Sequence, residues 1–152
     1  MALRLIWELL SLKDTAAAAA ALAEIVREGD LLLFTGKIGA GKTTFIQDFA
    51  RSLGITEPVT SPTFVLHTLY ESGNITLSHV DLYRLETDAE AEGIGWEDYA
   101  DDAVTVIEWA DRYSKFREPY LHLHFDYGEE ENSRLLTISP CGGDWANRLC
   151  SR

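Results

Sequence analysis

The order of apolar and polar residues predicts a chain in which strands and helices alternate. Residues 30–35 (DLLLFT) and 103–107 (AVTVI) form continuous apolar runs, as expected of strands that are covered on both faces. After the first run, apolar residues recur at helical spacing and predict an amphipathic helix that ends at Gly54. The residues of that helical pattern are Phe45, Ile46, Phe49, Ala50 and Leu53.

Shorter patterns predict the remaining strands of a single sheet. These strands are expected at residues 3–9, 64–70, 75–81, 120–127 and 134–139. The tetrapeptide ESGN joins the second and third of them as a hairpin, and the last two form an antiparallel pair. The sheet is therefore expected to be mixed: it contains antiparallel pairs in addition to the central strands that are buried on both faces.

Helices are predicted on either side of these strands. The alanine-rich residues 15–29 predict a helix that follows a capping box at Ser11 and is stopped by Gly29. The acidic residues 86–102 predict short helices. One mixed sheet flanked by helices, in a single domain over residues 1–152, is the α/β architecture that this order favours.

Composition narrows the compartment in which the protein is expected to work. The chain has 152 residues and two cysteines, Cys141 and Cys150, which favour reduced thiols over a disulfide framework or a zinc site. No apolar run approaches the roughly 20 residues that a membrane span requires. The N-terminal stretch MALRLIWELLSLKD lacks the features of a secretory signal. We therefore expect a cytoplasmic protein that has no membrane partner.

The net charge argues against direct binding of nucleic acid. The chain carries a formal charge of −12, with 25 acidic residues and 13 lysines and arginines. The imbalance is local, because residues 81–131 hold sixteen acids and four bases while the remainder holds nine of each. A nucleic-acid binder normally presents a basic surface to the phosphates. Any connection to RNA is therefore expected through another protein, although the acidic half also fits a merely solubilising surface.

A glycine-rich motif predicts a site for a nucleoside triphosphate. Residues 36–43 (GKIGAGKT) match the pattern G-x-x-x-x-G-K-[ST] at every fixed position, between an apolar strand and an amphipathic helix. Glycines let the backbone aim N–H groups at phosphates, a lysine reaches the β- and γ-phosphates, and a threonine hydroxyl ligates Mg²⁺. The loop residues expected to contact the nucleotide are Gly36, Gly39, Ala40, Gly41, Lys42, Thr43 and Thr44.

Two acidic residues at strand ends are candidates for the carboxylate that such a metal site requires. Asp81 ends the run NITLSHVD, and Glu108 ends AVTVIE. A magnesium ion held by Thr43 and phosphates usually takes a carboxylate partner, and a second carboxylate can orient the attacking water. In so acidic a chain each of them alone is equally well explained as a surface acid. Lys42, Asp81 and Glu108 are the expected catalytic residues.

The order of motifs resembles that of a known family. GKIGAGKTTF, TSPTF, HVDLYRL, GIGWEDY and VIEWADR, in this order, are similar to the TsaE family of small bacterial P-loop ATPases. The resemblance runs from about Ser11 to Arg134 and implies a three-layer P-loop NTPase fold with a mixed, mainly parallel sheet. It also implies slow ATP hydrolysis stimulated by TsaD-type and TsaB-type partners. These partners make threonylcarbamoyladenosine at adenosine 37 of tRNAs that read ANN codons.

The resemblance assigns roles to residues at the centre of the site. The family's magnesium ligands match Thr43 and Glu108, and a residue needed for hydrolysis matches Asp81. Trp109 matches a family tryptophan near the nucleotide. The cofactors that the resemblance implies are ATP and Mg²⁺.

Other assignments concern the edges of the site. Thr63, in the SPTF loop, matches a switch-like segment close to the γ-phosphate; from the residues alone, this segment is equally a turn before a strand. Ser11 and Arg134 match positions near the adenine. The chain departs from the family pattern IEWPE at Ala110 and Asp111, which puts a role for Asp111 in doubt.

Two other functions use the same loop. A small-molecule kinase would transfer the γ-phosphate to a bound acceptor, but such enzymes usually have an acceptor pocket with several arginines. The middle of this chain offers only Arg84, Arg112 and Arg117. A nucleotide-gated binding module would use ATP only to assemble a complex. The ATPase reading is preferred because of the motif series.

Overall fold

One sheet of seven strands organises the protein, whose computed structural model describes residues 3–60 and 66–151. The strands are β1 (Leu5–Leu9), β2 (Leu31–Gly36), β3 (His67–Glu71), β4 (Thr76–Asp81), β5 (Val104–Glu108), β6 (Tyr120–Tyr127) and β7 (Arg134–Cys141). The α-helices are α1 (Leu12–Ala23), α2 (Lys42–Ser52), α3 (Asp88–Glu92) and α4 (Trp145–Cys150). Short 3-10 helices occupy Trp96–Tyr99 and Ala110–Arg112.

The sheet has parallel strands at its centre and antiparallel strands at its edges. Its order is β1-β7-β6-β2-β5-β4-β3, and the neighbours β6, β2, β5 and β4 run parallel. The pairs β1–β7, β6–β7 and β3–β4 are antiparallel. This confirms the expected mixed sheet with mainly parallel central strands, including the two predicted antiparallel pairs.

Helices cover both faces of the sheet, which gives the molecule three layers. Successive side chains of a strand point to opposite faces. Leu32 and Phe34 of β2 accordingly belong to the core beneath α1, α2 and α4. Leu31 and Leu33 pack into a second core with α3 and the 3-10 helix that contains Trp96. A strand with a core on each face reads as a continuous apolar run, as the sequence of β2 does.

The first helix is shorter than its sequence predicts. Ser11 caps α1 as expected, since its Oγ accepts a hydrogen bond from the Asp14 N–H at 3.2 Å. The helix ends at Ala23 rather than at Gly29. Beyond this end, half-buried Ile25 packs against the core. Gly29 instead shapes the entry to β2, where it adopts φ +92° and its N–H donates to the Ala103 carbonyl at 2.9 Å.

The C-terminal helix α4 was not predicted from the sequence. It spans six residues, too few for a helical pattern to be recognised, and tertiary contacts hold it in place. Trp145 is buried in the core. Arg148 makes two hydrogen bonds to the carboxylate of Asp30, at 2.7 and 3.0 Å. Among residues 3–60 and 66–151, no helix has the length and apolar character that crossing a bilayer would need.

Candidate phosphate-binding site

The glycine-rich loop joins the carboxyl end of β2 to the first turn of α2. Gly36, Gly39 and Gly41 all have positive φ angles, of +133°, +79° and +104°. A Cβ atom on Gly36 would collide with the carbonyl oxygen of Phe125 on β6. Glycine is therefore required there by space as well as by backbone conformation. Because α2 begins at Lys42, the N-terminus of this helix, which favours anions, faces the loop.

Lys42 is buried within the loop rather than extended into solvent. Its Nζ donates to the carbonyl of Gly36 and to that of Lys37 at 3.3 Å, and it lies 4.1 Å from the ring centre of Trp109. Burial lowers the pKa of Lys42, while the nearby carboxylates of Glu108, Asp111 and Asp81 act in the opposite direction. A partly desolvated ammonium group that donates to two neutral carbonyls is well suited to receive an anion.

Glu108, at the end of β5, links helix α2 to the neighbouring strand β4. Its Oε1 accepts a hydrogen bond from the Thr43 hydroxyl at 3.1 Å. Its Oε2 accepts one from Nε2 of His79 at 2.8 Å, since a carboxylate oxygen can only accept. His79 and Glu108 are both buried. The structure thus brings together Thr43 and Glu108, the two expected metal ligands, and adds a histidine that holds the carboxylate from the other side.

Sequence reasoning did not assign a role to His79. The signal was present in the motif HVDLYRL, because His79 and Asp81 lie two residues apart and share one face of β4. Nothing in the sequence showed which partner this face would meet. Only the parallel pairing of β4 with β5 brings His79 beside Glu108.

Asp81 lies beside Glu108 at the carboxyl ends of two parallel strands. The two residues are register partners in the β4–β5 pair. The Asp81 carboxylate accepts a hydrogen bond from the Tyr83 N–H at 2.9 Å. Burial raises the pKa of Asp81 and the nearby Glu108 raises it further, while the Tyr83 hydrogen bond opposes this shift. The site therefore contains two neighbouring carboxyl groups that have different hydrogen-bond partners.

These side chains surround a small cleft above the loop. Its volume is about 220 Å³. It is lined by Lys37, Ile38, Gly39, Gly41, Lys42, Thr43, Thr44, Asp81, Glu108 and Trp109. Pockets that enclose a whole small molecule usually measure roughly 300–1,000 Å³. The cleft therefore has room for a phosphate chain, and the rest of a nucleotide would lie outside it.

Trp109 closes one side of the cleft from an unusual backbone conformation. It has φ +57° and is the only residue other than glycine with positive φ in the described part of the chain. Its ring packs against Tyr83 at 4.9 Å between ring centres, and the Arg112 guanidinium lies 5.8 Å from it. A left-handed conformation at a bulky residue costs about 1–2 kcal/mol and persists only where surrounding contacts impose it. Here it directs the indole over Lys42.

The remaining expected contacts lie at the rim of the site or outside the described residues. Arg134 begins β7, and its Nη2 donates to the Gly39 carbonyl at 3.4 Å. Ser11 uses its hydroxyl to cap α1 and does not line the cleft. Ala40 is a buried residue of the loop itself, and its N–H donates to the Lys37 carbonyl at 3.1 Å rather than facing the cleft. Thr63 belongs to residues 61–65, which the structure does not describe.

The oxygen atoms of the site fit a magnesium ion that would be held mainly by the phosphates of a bound nucleotide. Mg²⁺ favours one or two protein oxygens together with phosphates and water, rather than a dedicated protein cage. Thr43 Oγ1 and Glu108 Oε1 provide two such oxygens, 3.1 Å apart. Within residues 3–60 and 66–151 there is no cluster of three or more histidine, cysteine or acidic side chains that could hold a metal by itself. The two oxygens of Thr43 and Glu108 would suit a metal that is also bound by phosphates.

The fold and the loop place the protein in the class of α/β P-loop proteins. The family model described as threonylcarbamoyl adenosine biosynthesis protein TsaE matches residues 9–136. The chain belongs to this family, which confirms the resemblance drawn from its motifs.

Curated relatives support the same assignment. The chain is 39% identical over 124 residues to a tRNA threonylcarbamoyladenosine biosynthesis protein TsaE from a Nostoc species, covering 78% of this chain and 75% of the relative. It is 35% identical over 132 residues to the Streptomyces coelicolor protein of that name, covering 82% and 89%. Among solved structures, Bacillus subtilis YdiB superposes with a TM-score of 0.81 at 27% identity, over 99% of this chain and 95% of YdiB.

Proposed function

We propose that this protein binds ATP with Mg²⁺ and hydrolyses it slowly, as one component of the machinery that makes threonylcarbamoyladenosine on tRNA. The observation that carries the proposal is the bridge at Glu108, which accepts hydrogen bonds from Thr43 and His79 beside the phosphate loop. A phosphate loop by itself would support binding only. The Glu108 carboxylate, which is oriented by two hydrogen bonds beside the expected metal position, and the neighbouring Asp81 carboxylate support hydrolysis as well.

Four side chains of the cleft and the backbone of the loop have parts in this proposal. On binding, the Lys42 ammonium group would replace its hydrogen bonds to the loop carbonyls with contacts to the β- and γ-phosphates. The backbone of the loop would surround the phosphate chain. Thr43 and Glu108 would hold Mg²⁺, which would neutralise charge on the phosphates. Asp81 orients a water molecule whose oxygen attacks the γ-phosphorus; one proton of this water stays on the released phosphate and the other passes to solvent. The bond from that phosphorus to the β–γ bridging oxygen breaks, and ADP and inorganic phosphate leave.

The surface charge supports an indirect connection to tRNA. The sixteen acids against four bases in residues 81–131 and the net charge of −12 oppose the electrostatic attraction on which tRNA binding usually depends. We therefore propose that TsaD-type and TsaB-type proteins contact the tRNA and stimulate hydrolysis.

Both cysteines are free, as expected of a protein that works in the reducing cytoplasm.

The test is product analysis with and without these partner proteins. The purified chain, its TsaD-type and TsaB-type partners from the same organism and MgATP should release inorganic phosphate faster than the chain alone. Lys42→Ala should abolish ATP binding, because it removes the buried cation of the loop. Lys115→Ala is the matched control, because this exposed lysine lies 3.8 Å from Glu92 and outside the cleft.

Each competing function has a distinct result in the same experiment. A phosphorylated small molecule in place of free phosphate would identify a kinase and contradict the proposal. Tight ATP binding without turnover, even with all partners present, would identify a nucleotide-gated binding module. Wild-type phosphate release by Lys42→Ala would show that the assigned cleft is not the site of hydrolysis.

A further inference from the structure

Two side chains at the end of the β6–β7 hairpin hold the glycine-rich loop from outside the cleft. Tyr127 and Arg134 are the last register partners of this antiparallel pair. The Tyr127 hydroxyl donates to the Ile38 carbonyl at 2.5 Å. Arg134 Nη2 donates to the Gly39 carbonyl at 3.4 Å. Two consecutive carbonyl groups of the loop are thus bonded to the same hairpin.

The two side chains also support each other. The Arg134 guanidinium carbon lies 4.9 Å from the ring centre of Tyr127, within cation–π distance. Arg134 Nη1 donates to the carbonyls of Glu131 and Ser133, each at 2.9 Å, which ties the guanidinium to the hairpin. The Arg134 guanidinium is therefore held by the hairpin itself, and the Tyr127 ring packs against it.

The hydrogen bond to the Ile38 carbonyl constrains the direction of the next N–H group in the loop, that of Gly39. In a planar trans peptide the C=O of one residue and the N–H of the next point in opposite directions. Since the Ile38 carbonyl points to Tyr127, the Gly39 N–H points away from it, and Gly39 lines the cleft. A Cβ on Gly39 would lie 3.0 Å from the Tyr127 hydroxyl, so glycine lets the tyrosine approach this closely.

We propose that Tyr127 is a positioning residue for phosphate binding, which orients the Gly39 N–H through its hydrogen bond to Ile38, with Arg134 bracing its ring. The inference rests on the proposed function, because it concerns how the cleft receives the phosphate chain. Tyr127 acts on the loop and not on the base of the nucleotide. Its effect therefore extends to any ligand that carries the phosphates alone.

The test compares Tyr127→Phe with the wild type. This variant keeps the ring that packs against Arg134 and removes only the hydroxyl. Tyr99→Phe is the matched control, because Tyr99 is exposed to a similar degree, 46% against 49%, and lies outside the cleft. Affinities for ATP and for tripolyphosphate, both with Mg²⁺, are measured by calorimetry. Exchange of the backbone amides of residues 37–41 is measured by NMR or mass spectrometry.

The expected result is a loss of affinity that is the same for both ligands. Loss of one hydrogen bond predicts roughly three- to tenfold weaker binding of ATP and of tripolyphosphate by Tyr127→Phe. Amide exchange in residues 37–41 should be faster, with the thermal unfolding temperature close to that of Tyr99→Phe. A loss confined to ATP would place Tyr127 at the nucleoside and overturn the proposal, as would wild-type affinity for both ligands.

The outcome separates this inference from the proposed function. If the wild type binds MgATP and Lys42→Ala does not, the cleft is the nucleotide site whatever Tyr127→Phe does. If neither ATP nor tripolyphosphate binds to the wild type, the proposed function itself fails.

Discussion

The hydrogen bond between His79 and Glu108 can be tested by replacing His79 with phenylalanine. The histidine side chain is 1% exposed and the glutamate side chain 3%, so the change leaves Glu108 Oε2 without its 2.8 Å donor in a site with little solvent. Loss of a buried donor to a carboxylate costs about 1–3 kcal/mol. The buried Nδ1 of His79 has no hydrogen-bond partner among the described residues, and removing it offsets part of this cost.

The net expectation is a free energy of unfolding lower by about 1–2 kcal/mol. For a domain of this size that corresponds to a melting temperature lower by roughly 2–8 °C. Glu108 would also lose the contact that orients it towards Thr43. Loss of a residue that supports a metal ligand typically weakens metal affinity about tenfold or more. The Mg²⁺ concentration for half-maximal ATP hydrolysis should therefore rise by about that factor.

The assay combines thermal unfolding with a Mg²⁺ titration of the proposed partner-stimulated ATP hydrolysis. His67→Phe is the control, because it removes a half-buried histidine whose Nε2 lies 2.7 Å from Ser78 Oγ and which does not line the cleft. It should leave the Mg²⁺ dependence unchanged. The double variant His79→Phe/Glu108→Gln should be less destabilised than the sum of its single variants, because no carboxylate is then left without its donor.

Two results would refute this reasoning. One is a wild-type Mg²⁺ dependence for His79→Phe, since Glu108 would then be oriented without the histidine. The other is strict additivity of the two substitutions in the free energy of unfolding, since contacting residues that share a hydrogen bond should be coupled.

Further expectations concern Asp81 and tRNA. Asp81→Asn should retain MgATP binding and lose about 100-fold in hydrolysis, and near-wild-type turnover would exclude a role in orienting water. Burial raises the pKa of Asp81, so between the ordinary aspartate pKa and the raised one the folded state binds more protons than the unfolded state. Stability should therefore fall as pH rises from the ordinary aspartate pKa through the raised one, and urea melts of Asp81→Asn should lack this decline. The purified chain should bind tRNA weakly at physiological salt; sub-micromolar affinity would contradict the argument from charge.

The elements that could be predicted from the sequence are those with strong local signals. The loop motif, the helix pattern after it and the apolar run of β2 lie within about 25 consecutive residues, and each depends on its own neighbours. The predicted end of α1 at Gly29 was wrong. A glycine is equally suited to end a helix and to turn the chain into a strand, and Gly29 does the second. Helix α4 was missed because its stability comes from Trp145 and Arg148 contacting distant residues.

Membership of the TsaE family was also recognisable from the sequence, because its motifs are short strings whose order along the chain is preserved. Asp81 and Glu108 could be named as candidates since each follows an apolar strand. Their relation to each other could not be derived in this way. Parallel strands that pair in the sheet are distant in the chain, and no local pattern states which ones pair.

The sequence by itself was therefore enough to identify the glycine-rich loop and the strand and helix on either side of it. It was also enough to show the excess of acidic over basic residues and the membership of the TsaE family. The tertiary structure alone decided that His79 holds Glu108, that Asp81 lies beside it, and that Tyr127 and Arg134 hold the loop from behind. The physical reason is that a helix or a glycine turn depends on neighbouring residues, whereas a site formed at strand ends depends on the order of strands in the sheet.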